Sequence, residues 1–196
     1  MSKEFFNSRA AGWDEEAAEK DSARLEAMAA RLDIKAGAAV LDVGTGTGVF
    51  VPYLVNKIGD QGSLVCLDYA EEMLKVACAK NFRGNITYIC DEIETCRLPD
   101  RSFDAVVCYS VFPHFQDKPK ALKKISRLLK DNRKLYICHT SSRQAINDIH
   151  RRLPEVSDHL LPRNEEMRRM LAGAGFKDIS IADGKDNYLV TARKPG

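Results

Sequence analysis

Val40-Leu41-Asp42-Val43-Gly44-Thr45-Gly46-Thr47-Gly48 decides how this chain is read. A short, apolar, β-branched run ends in an acidic residue and then in glycines at alternate positions. Val49, Phe50, Val51 and Leu54 follow at a spacing that suits a helix. The pattern predicts a buried parallel strand, a tight turn and a helix over 47–58, the opening unit of an α/β fold. Glycine serves two ends in such a turn. It adopts backbone angles that a Cβ forbids, and it lets a ligand approach the main chain.

The glycine spacing narrows the ligand. A dinucleotide fingerprint reads G-x-G-x-x-G and sets a pyrophosphate at a helix N-terminus. Here the spacing is G-x-G-x-G, with Asp42 two residues ahead of Gly44. A carboxylate at that strand end disfavours a phosphate and favours a cation. S-adenosylmethionine (SAM), with its sulfonium and ammonium, suits such a place, and a nicotinamide-dependent oxidoreductase does not. A second strand, Ser63-Leu-Val-Cys-Leu67, ends in Asp68. An acidic residue there accepts hydrogen bonds from both ribose hydroxyls, because a carboxylate offers two oxygens.

These segments together resemble the class I SAM-dependent methyltransferases of small-molecule type. Residues 40–48 are similar to that family's first motif, and Leu67-Asp-Tyr-Ala-Glu-Glu-Met-Leu74 to its second. Ile89-Cys-Asp-Glu-Ile93 resembles the third, Ser102-Phe-Asp-Ala-Val-Val-Cys-Tyr-Ser110 the fourth strand, and Pro113–Leu122 the segment after it. The resemblance implies cofactor contacts from Asp42, Gly44, Thr45, Gly46, Gly48 and Tyr109. It further implies ribose binding by Asp68, flanking of the adenine by Tyr69 and Met73, and adenine-edge contacts from Asp91, Glu92 and Ile93. The family usually has glycine where this chain has Cys90, and Glu94–Pro99 is slightly long.

The rest of the chain alternates as an α/β fold requires. Helices are expected at 22–33, 70–80, 118–130 and 164–173. Strands are expected near 39–43, 64–67, 86–89, 104–109, 134–139, 176–182 and 187–193. The resemblance makes this a doubly wound, mostly parallel seven-stranded sheet with helices on both faces and an antiparallel last strand. One domain is expected over 1–196, with a helical lid over 1–35 and a substrate-side insertion over 140–165. Ligands bind such sheets at the carboxyl ends of the strands, where Asp42, Asp68, Asp91 and Tyr109 fall.

Composition excludes several classes. A net charge of +2 gives no electrostatic case for DNA or anionic membranes. No segment approaches the roughly twenty apolar residues of a membrane span. The N-terminal Met-Ser-Lys-Glu-Phe-Phe-Asn lacks the apolar run of a signal peptide. None of the six cysteines forms a Cys-x-x-Cys pair, which points to a reducing, cytoplasmic setting. The lysines of 118–130 lie opposite Ala121, Leu122, Ile125, Leu128 and Leu129, as on an ordinary amphipathic helix.

The acceptor side is expected from the loops after the fourth and fifth strands. All four histidines, 114, 139, 150 and 159, lie there. His139 leaves the fifth strand and is the first candidate for a general base; His114 is the second. His150, with Arg143 and Asn147 at helical spacing, is a candidate substrate contact, as is Trp13 in the lid segment. No His-x-x-x-His or His-x-His spacing suggests a metal. The expected activity is methyl transfer from SAM to a small-molecule acceptor, leaving S-adenosylhomocysteine (SAH). Methylation of protein or RNA, or SAM binding without chemistry, are the alternatives. The sequence lacks the Asn/Asp-Pro-Pro-Tyr and Pro-Cys patterns of base methylation.

Overall fold

A computed structural model describes residues 3–16 and 21–196. Residues 1–2 and 17–20 of the expected 1–35 lid therefore lie outside the described residues. Seven strands form one sheet in the order β3-β2-β1-β4-β5-β7-β6. They are β1 (Ala39–Val43), β2 (Ser63–Asp68), β3 (Ile86–Cys90), β4 (Phe103–Tyr109), β5 (Leu129–His139), β6 (Lys177–Gly184) and β7 (Asn187–Arg193). The first five pair in parallel, and β7 runs antiparallel to both β5 and β6. The expected doubly wound sheet with its reversed last strand is present.

The strands are apolar on both faces because helices cover both. Val40, Cys66, Ala105 and Val107 face Leu25 and Met28 of α3 (Ser22–Ala30) and Leu54 and Ile58 of α4 (Val51–Ile58). Leu41, Leu67, Val106 and Cys108 face Leu122 and Ile125 of α6 (Lys118–Leu128) and Met167 and Leu171 of α8 (Asn164–Gly173). Completing the chain are α1 (Lys3–Arg9), α2 (Trp13–Glu16), α5 (Glu71–Ala79) and α7 (Arg143–Arg151). No described helix is long and apolar enough to cross a membrane. All six cysteines are free, with Cys66, Cys96, Cys108 and Cys138 buried.

Two element boundaries differ from expectation for physical reasons. The first crossover helix begins at Val51, not at 47. Gly48 has φ +82°, outside the helical region, and Pro52 lacks the N–H that only a first turn can spare. The helix expected over 118–130 ends at Leu128, and β5 starts at once. Between Leu129 and Lys134 the strand carries an irregularity opposite Phe103–Ala105. Lys130 and Arg133 there both reach Asp104, at 2.7 and 3.3 Å.

β1 lies between β2, which leads to one side of the sheet, and β4, which leads to the other. The crevice at this reversal of strand order is the place an open α/β sheet offers a ligand.

Candidate functional site

A cavity of about 430 Å³ opens at that crevice. Its floor is the turn after β1, where Gly44, Gly46 and Gly48 all have positive φ. Their surroundings differ. A Cβ on Gly44 would fall 2.1 Å from Val111 Cγ2, so close packing demands glycine there. A Cβ on Gly46 would meet nothing within 4 Å, because it would project into open space at the cavity. Gly48 is packed against Phe82 and does not line the cavity.

Asp68 forms the next wall. It is 8% exposed, and its two oxygens accept from Gly46 N at 2.7 Å and Ala70 N at 2.8 Å. A carboxylate has about four lone-pair sites, so these donors do not exhaust its capacity to accept. Burial pushes this carboxyl up, while those N–H donors pull it back. The contact also fixes the shape of the glycine turn, since Gly46 is held by the strand next door.

Asp42 is placed differently from its expected role. It is 2% exposed beneath the turn and lines no cavity. Its Oδ2 accepts from the Thr45 hydroxyl at 2.9 Å. Burial pushes its carboxyl up to about 7 against that hydrogen bond. Asp42 thus braces the turn from below; it does not offer a surface charge to a cation. Thr45 itself lines the cavity.

Tyr69, in the β2–α5 connection, and Met73, in the first turn of α5, border the same space. Asp91, Glu92 and Ile93 lie one step further along, in an adjoining cleft of about 50 Å³. That cleft shares Gly44, Asp68, Tyr69, Val111 and His114 with the main cavity. Asp91 Oδ1 accepts from Glu92 N at 2.8 Å, and Asp91 N donates to Asp68 O at 3.1 Å. Tyr109, at the end of β4, stacks on Phe50 with centroids 4.6 Å apart and its hydroxyl 3.1 Å from Thr140 Oγ1.

The N-terminal segment lines the cavity through Phe5, Phe6, Arg9 and Trp13. Phe6 touches Trp13, Tyr69 and His114 edge-on, at centroid distances of 5.6, 5.9 and 5.4 Å. Polar ties hold the segment down. Asp14 accepts from the Thr47 hydroxyl at 2.6 Å and pairs with Lys80, which also donates to Thr47 O at 2.7 Å. Asn7 Oδ1 accepts from Glu72 N at 3.1 Å. The segment is therefore fastened to the glycine turn itself.

The far wall gathers imidazoles among apolar groups: His114, His139 and His150 with Ile146, Leu153 and Val156. His139 is 1% exposed at the end of β5, its Nδ1 3.3 Å from Ser110 Oγ. His114 Nδ1 lies 3.1 Å from His159 Nδ1, and its ring centroid 5.0 Å from that of His150. Burial, with His150 and His159 nearby, holds the His114 ring well below the usual imidazole range. His159 is lowered as well, chiefly by burial.

Arg143 does not join this wall. Its backbone N and Nε bind Asp183 at 3.1 and 3.2 Å, on the outer side of α7. Asn147 is turned inward, exchanging hydrogen bonds with Leu161 N and O at 2.8 and 3.0 Å. At about 100° per residue, Ile146 and Ile149 centre the cavity face of α7, and His150 stands at its edge. Of that polar stripe His150 lines this cavity, while Arg143 and Asn147 line a separate one of about 330 Å³. Among the described residues no group of three or more His, Cys, Asp or Glu could hold a metal.

Residues 41–137 match a family model described as a methyltransferase domain. The ubiquinone/menaquinone biosynthesis C-methyltransferase UbiE of Enterobacter sp. (strain 638) is 30% identical over 138 residues, 68% of this chain and 55% of that protein. The chain thus spans about half the length of that curated relative. UbiE of Shewanella sp. (strain ANA-3) is 25% identical over 184 residues, covering 80% of this chain and 73% of that protein. The chain belongs to the class I SAM-dependent methyltransferase family. Its fold recurs in a SAM-dependent methyltransferase from Aquifex aeolicus, at 23% identity, TM-score 0.74 and 99% coverage of both chains. It recurs also in the Haloferax volcanii putative methyltransferase solved with its Trm112 activator, at 20% identity, TM-score 0.77, and 97% and 98% coverage.

Sequence reasoning left the contacts of several residues here undetermined. Val111, an apolar residue after the fourth strand, fills the space beside Gly44. His159 was one of four clustered histidines, but nothing in its spacing marks it as a neighbour of His114, which lies 45 residues away. Ile146, Leu153 and Val156 lay in a segment without a motif.

Proposed function

We propose that this protein is a methyltransferase that moves the methyl group of SAM to a small-molecule acceptor and releases SAH. The observation that carries this reading is one cavity with two unlike ends. One end is a glycine turn and a strand-end carboxylate, and the other is an apolar wall bearing imidazoles. The residues fit the cosubstrate: open space stands where a Cβ on Gly46 would be, and Asp68 keeps lone pairs beside it. The volume lies in the range of small-ligand sites.

In this reading the main chain of 44–48 supports the amino-acid and sulfur end of SAM, with Gly44, Thr45 and Gly46 nearest and Gly48 and Asp42 shaping the turn. Asp68 receives the ribose hydroxyls. Tyr69 and Met73 flank the adenine, Asp91, Glu92 and Ile93 meet its edge, and Tyr109 backs the methionine side. Trp13 and Phe6 exclude water from above, and the apolar wall orients the acceptor. Bound SAM supplies an electrophilic methyl on a sulfonium. The protein contributes alignment of the acceptor atom behind that methyl. Solvent exclusion also helps, because water stabilises the starting cation more than the charge-dispersed transition state.

The UbiE relatives are named as C-methyltransferases of quinone biosynthesis, which supports a small-molecule acceptor and makes carbon one acceptor atom to test. The chain acts as one domain over 1–196, with 1–35 as cover and 140–165 on the acceptor side, in the cytoplasm.

The experiment is a turnover screen that reads SAH release. Small molecules bearing hydroxyl, thiol, amine or activated ring carbon are offered beside total RNA and mixed protein. SAH release with a small molecule and none with the polymers is the expected result. Release only with RNA or protein would overturn the acceptor class, and SAM binding with no release from any of them would favour a binding module.

A further inference from the structure

The histidines at the acceptor wall form an ordered pair, and hydrogen-bond rules fix how protons sit on it. A neutral imidazole has one donor nitrogen and one acceptor. His114 Nδ1 and His159 Nδ1 are 3.1 Å apart, so one carries the hydrogen and the other accepts it. His159 Nε2 lies 3.7 Å from the exposed Asp158 carboxylate, outside hydrogen-bond distance, and the negative charge there favours a hydrogen on the nitrogen that faces it. With its hydrogen on Nε2, neutral His159 presents a bare Nδ1. His114 then donates from Nδ1 and keeps its lone pair on Nε2. His114 is half-buried, and its ring lines the cavity.

His150 adds to this order without competing. Its Nδ1 faces His159 O, a group that only accepts, so Nδ1 carries the hydrogen. That contact also ties His159 to α7 and holds it against His114. Phe6 covers the His114 ring from the lid side.

We propose that His114 is the proton acceptor for the methyl acceptor, and that His159, backed by Asp158, is the positioning residue that holds its lone pair on Nε2. The inference rests on the methyltransferase reading and names the acceptor chemistry: a weakly acidic X–H group on an apolar body. The new X–C bond forms as the S–C bond breaks, and the sulfur keeps the electron pair. The proton of X–H passes to His114 Nε2. The resulting imidazolium donates from Nδ1 to His159 and later releases its proton to solvent. The groups that face His114 are His139, His150, His159 and Lys118, together with the half-buried lid ring. The nearby cation and the apolar cover both favour a neutral ring before reaction.

The test is imidazole ¹H–¹⁵N correlation on the whole ¹⁵N-labelled chain at pH 7, with SAH titration of the same samples. The wild type is expected to show His114 protonated on Nδ1 and bare on Nε2. His159→Phe, which cannot accept, is expected to mix the two neutral forms. His159→Gln, whose amide oxygen accepts, is expected to restore the single form. Should His159→Phe fail to fold, Asp158→Asn at the exposed carboxylate is expected to shift the same equilibrium partway. A hydrogen on Nε2 of wild-type His114, a charged ring at pH 7, or a tautomer indifferent to His159 would overturn the pairing even where SAH binds normally. Absence of SAH binding in every sample would overturn the methyltransferase reading, and the base role with it.

Discussion

The two ends of the cavity are built by different means. At the glycine turn the groups are main chain and carboxylate, drawn from strand ends adjacent in the sheet. Gly46 N is fixed by Asp68, Thr45 by Asp42, and both aspartates resist ionisation through burial. At the histidine wall the groups are side chains from α7, the β4 and β5 ends and the stretch around 159, brought together only by tertiary folding. The first end is set by two strand ends that the sheet places side by side, whereas the second depends on which side chains four separate segments present. That contrast explains why relatives of one fold hold one cosubstrate and can take varied acceptors.

Substitutions separate the two ends, beginning with the largest expected effect. Gly46→Val fills space the ligand needs, and SAH binding measured by calorimetry is expected to be lost. A modest fall in Tm should accompany it, from strain at φ +56°. Gly44→Val instead strikes Val111 at a positive φ and is expected to cost about 3 kcal/mol of stability, read as a fall of roughly 6–12 °C in Tm. Equal loss of binding and equal melting in the two variants would erase the distinction drawn between a contact glycine and a packing glycine.

Asp68→Ala is expected to weaken SAH binding roughly 10- to 100-fold by removing charge-assisted hydrogen bonds. His114→Gln and His139→Gln, at the other end, are expected to change SAH affinity by less than about threefold. His114→Gln is nonetheless expected to lower turnover by roughly 10²–10⁴ once an acceptor is known.

pH sets the two ends against each other. Burial pushes the folded Asp42 carboxyl up to about 7 from 3.8 in the unfolded chain, so the folded state holds the extra proton between pH 4 and 7. Its contribution to stability falls as pH rises through that window, with a slope of at most about 1.4 kcal/mol per pH unit. His114 acts in reverse. Its ring stays neutral in the folded state while the unfolded ring charges below about 6.5, so stability falls as pH drops. Chemical denaturation from pH 4 to 8 is expected to show Asp42→Asn removing the first slope and His114→Gln the second. A small effect at the glycine-turn end is expected from Asp14→Ala. An exposed tie of this kind contributes at most about 1 kcal/mol, so SAH affinity should fall less than tenfold.

The sequence made the first end legible because its signals are local. Glycines at 44, 46 and 48 and acids at 42, 68 and 91 stand at strand ends that periodicity alone locates. The strands and helices followed from the same periodicity and the seven-stranded sheet from the family resemblance, with boundaries shifted where Pro52 and Gly48 delay a helix and where β5 starts early. Even at this end, burial was hidden: nothing local showed that Asp42 lies under the turn. The second end depends on long-range packing. Arg143 shares a helical stripe with His150 yet is taken by Asp183, 40 residues on. His159 meets His114 through a loop whose sequence has no pattern. Spacing rules see one helix or one strand, and these contacts join several.

The central claim is that the glycine turn and Asp68 hold SAM. Calorimetric titration of the wild type and Gly46→Val with SAH, and with NADH in parallel, tests it most directly. The account predicts micromolar one-to-one binding of SAH to the wild type, none to Gly46→Val, and none of NADH to either. Binding of NADH in place of SAH, or SAH binding that survives Gly46→Val, would contradict it.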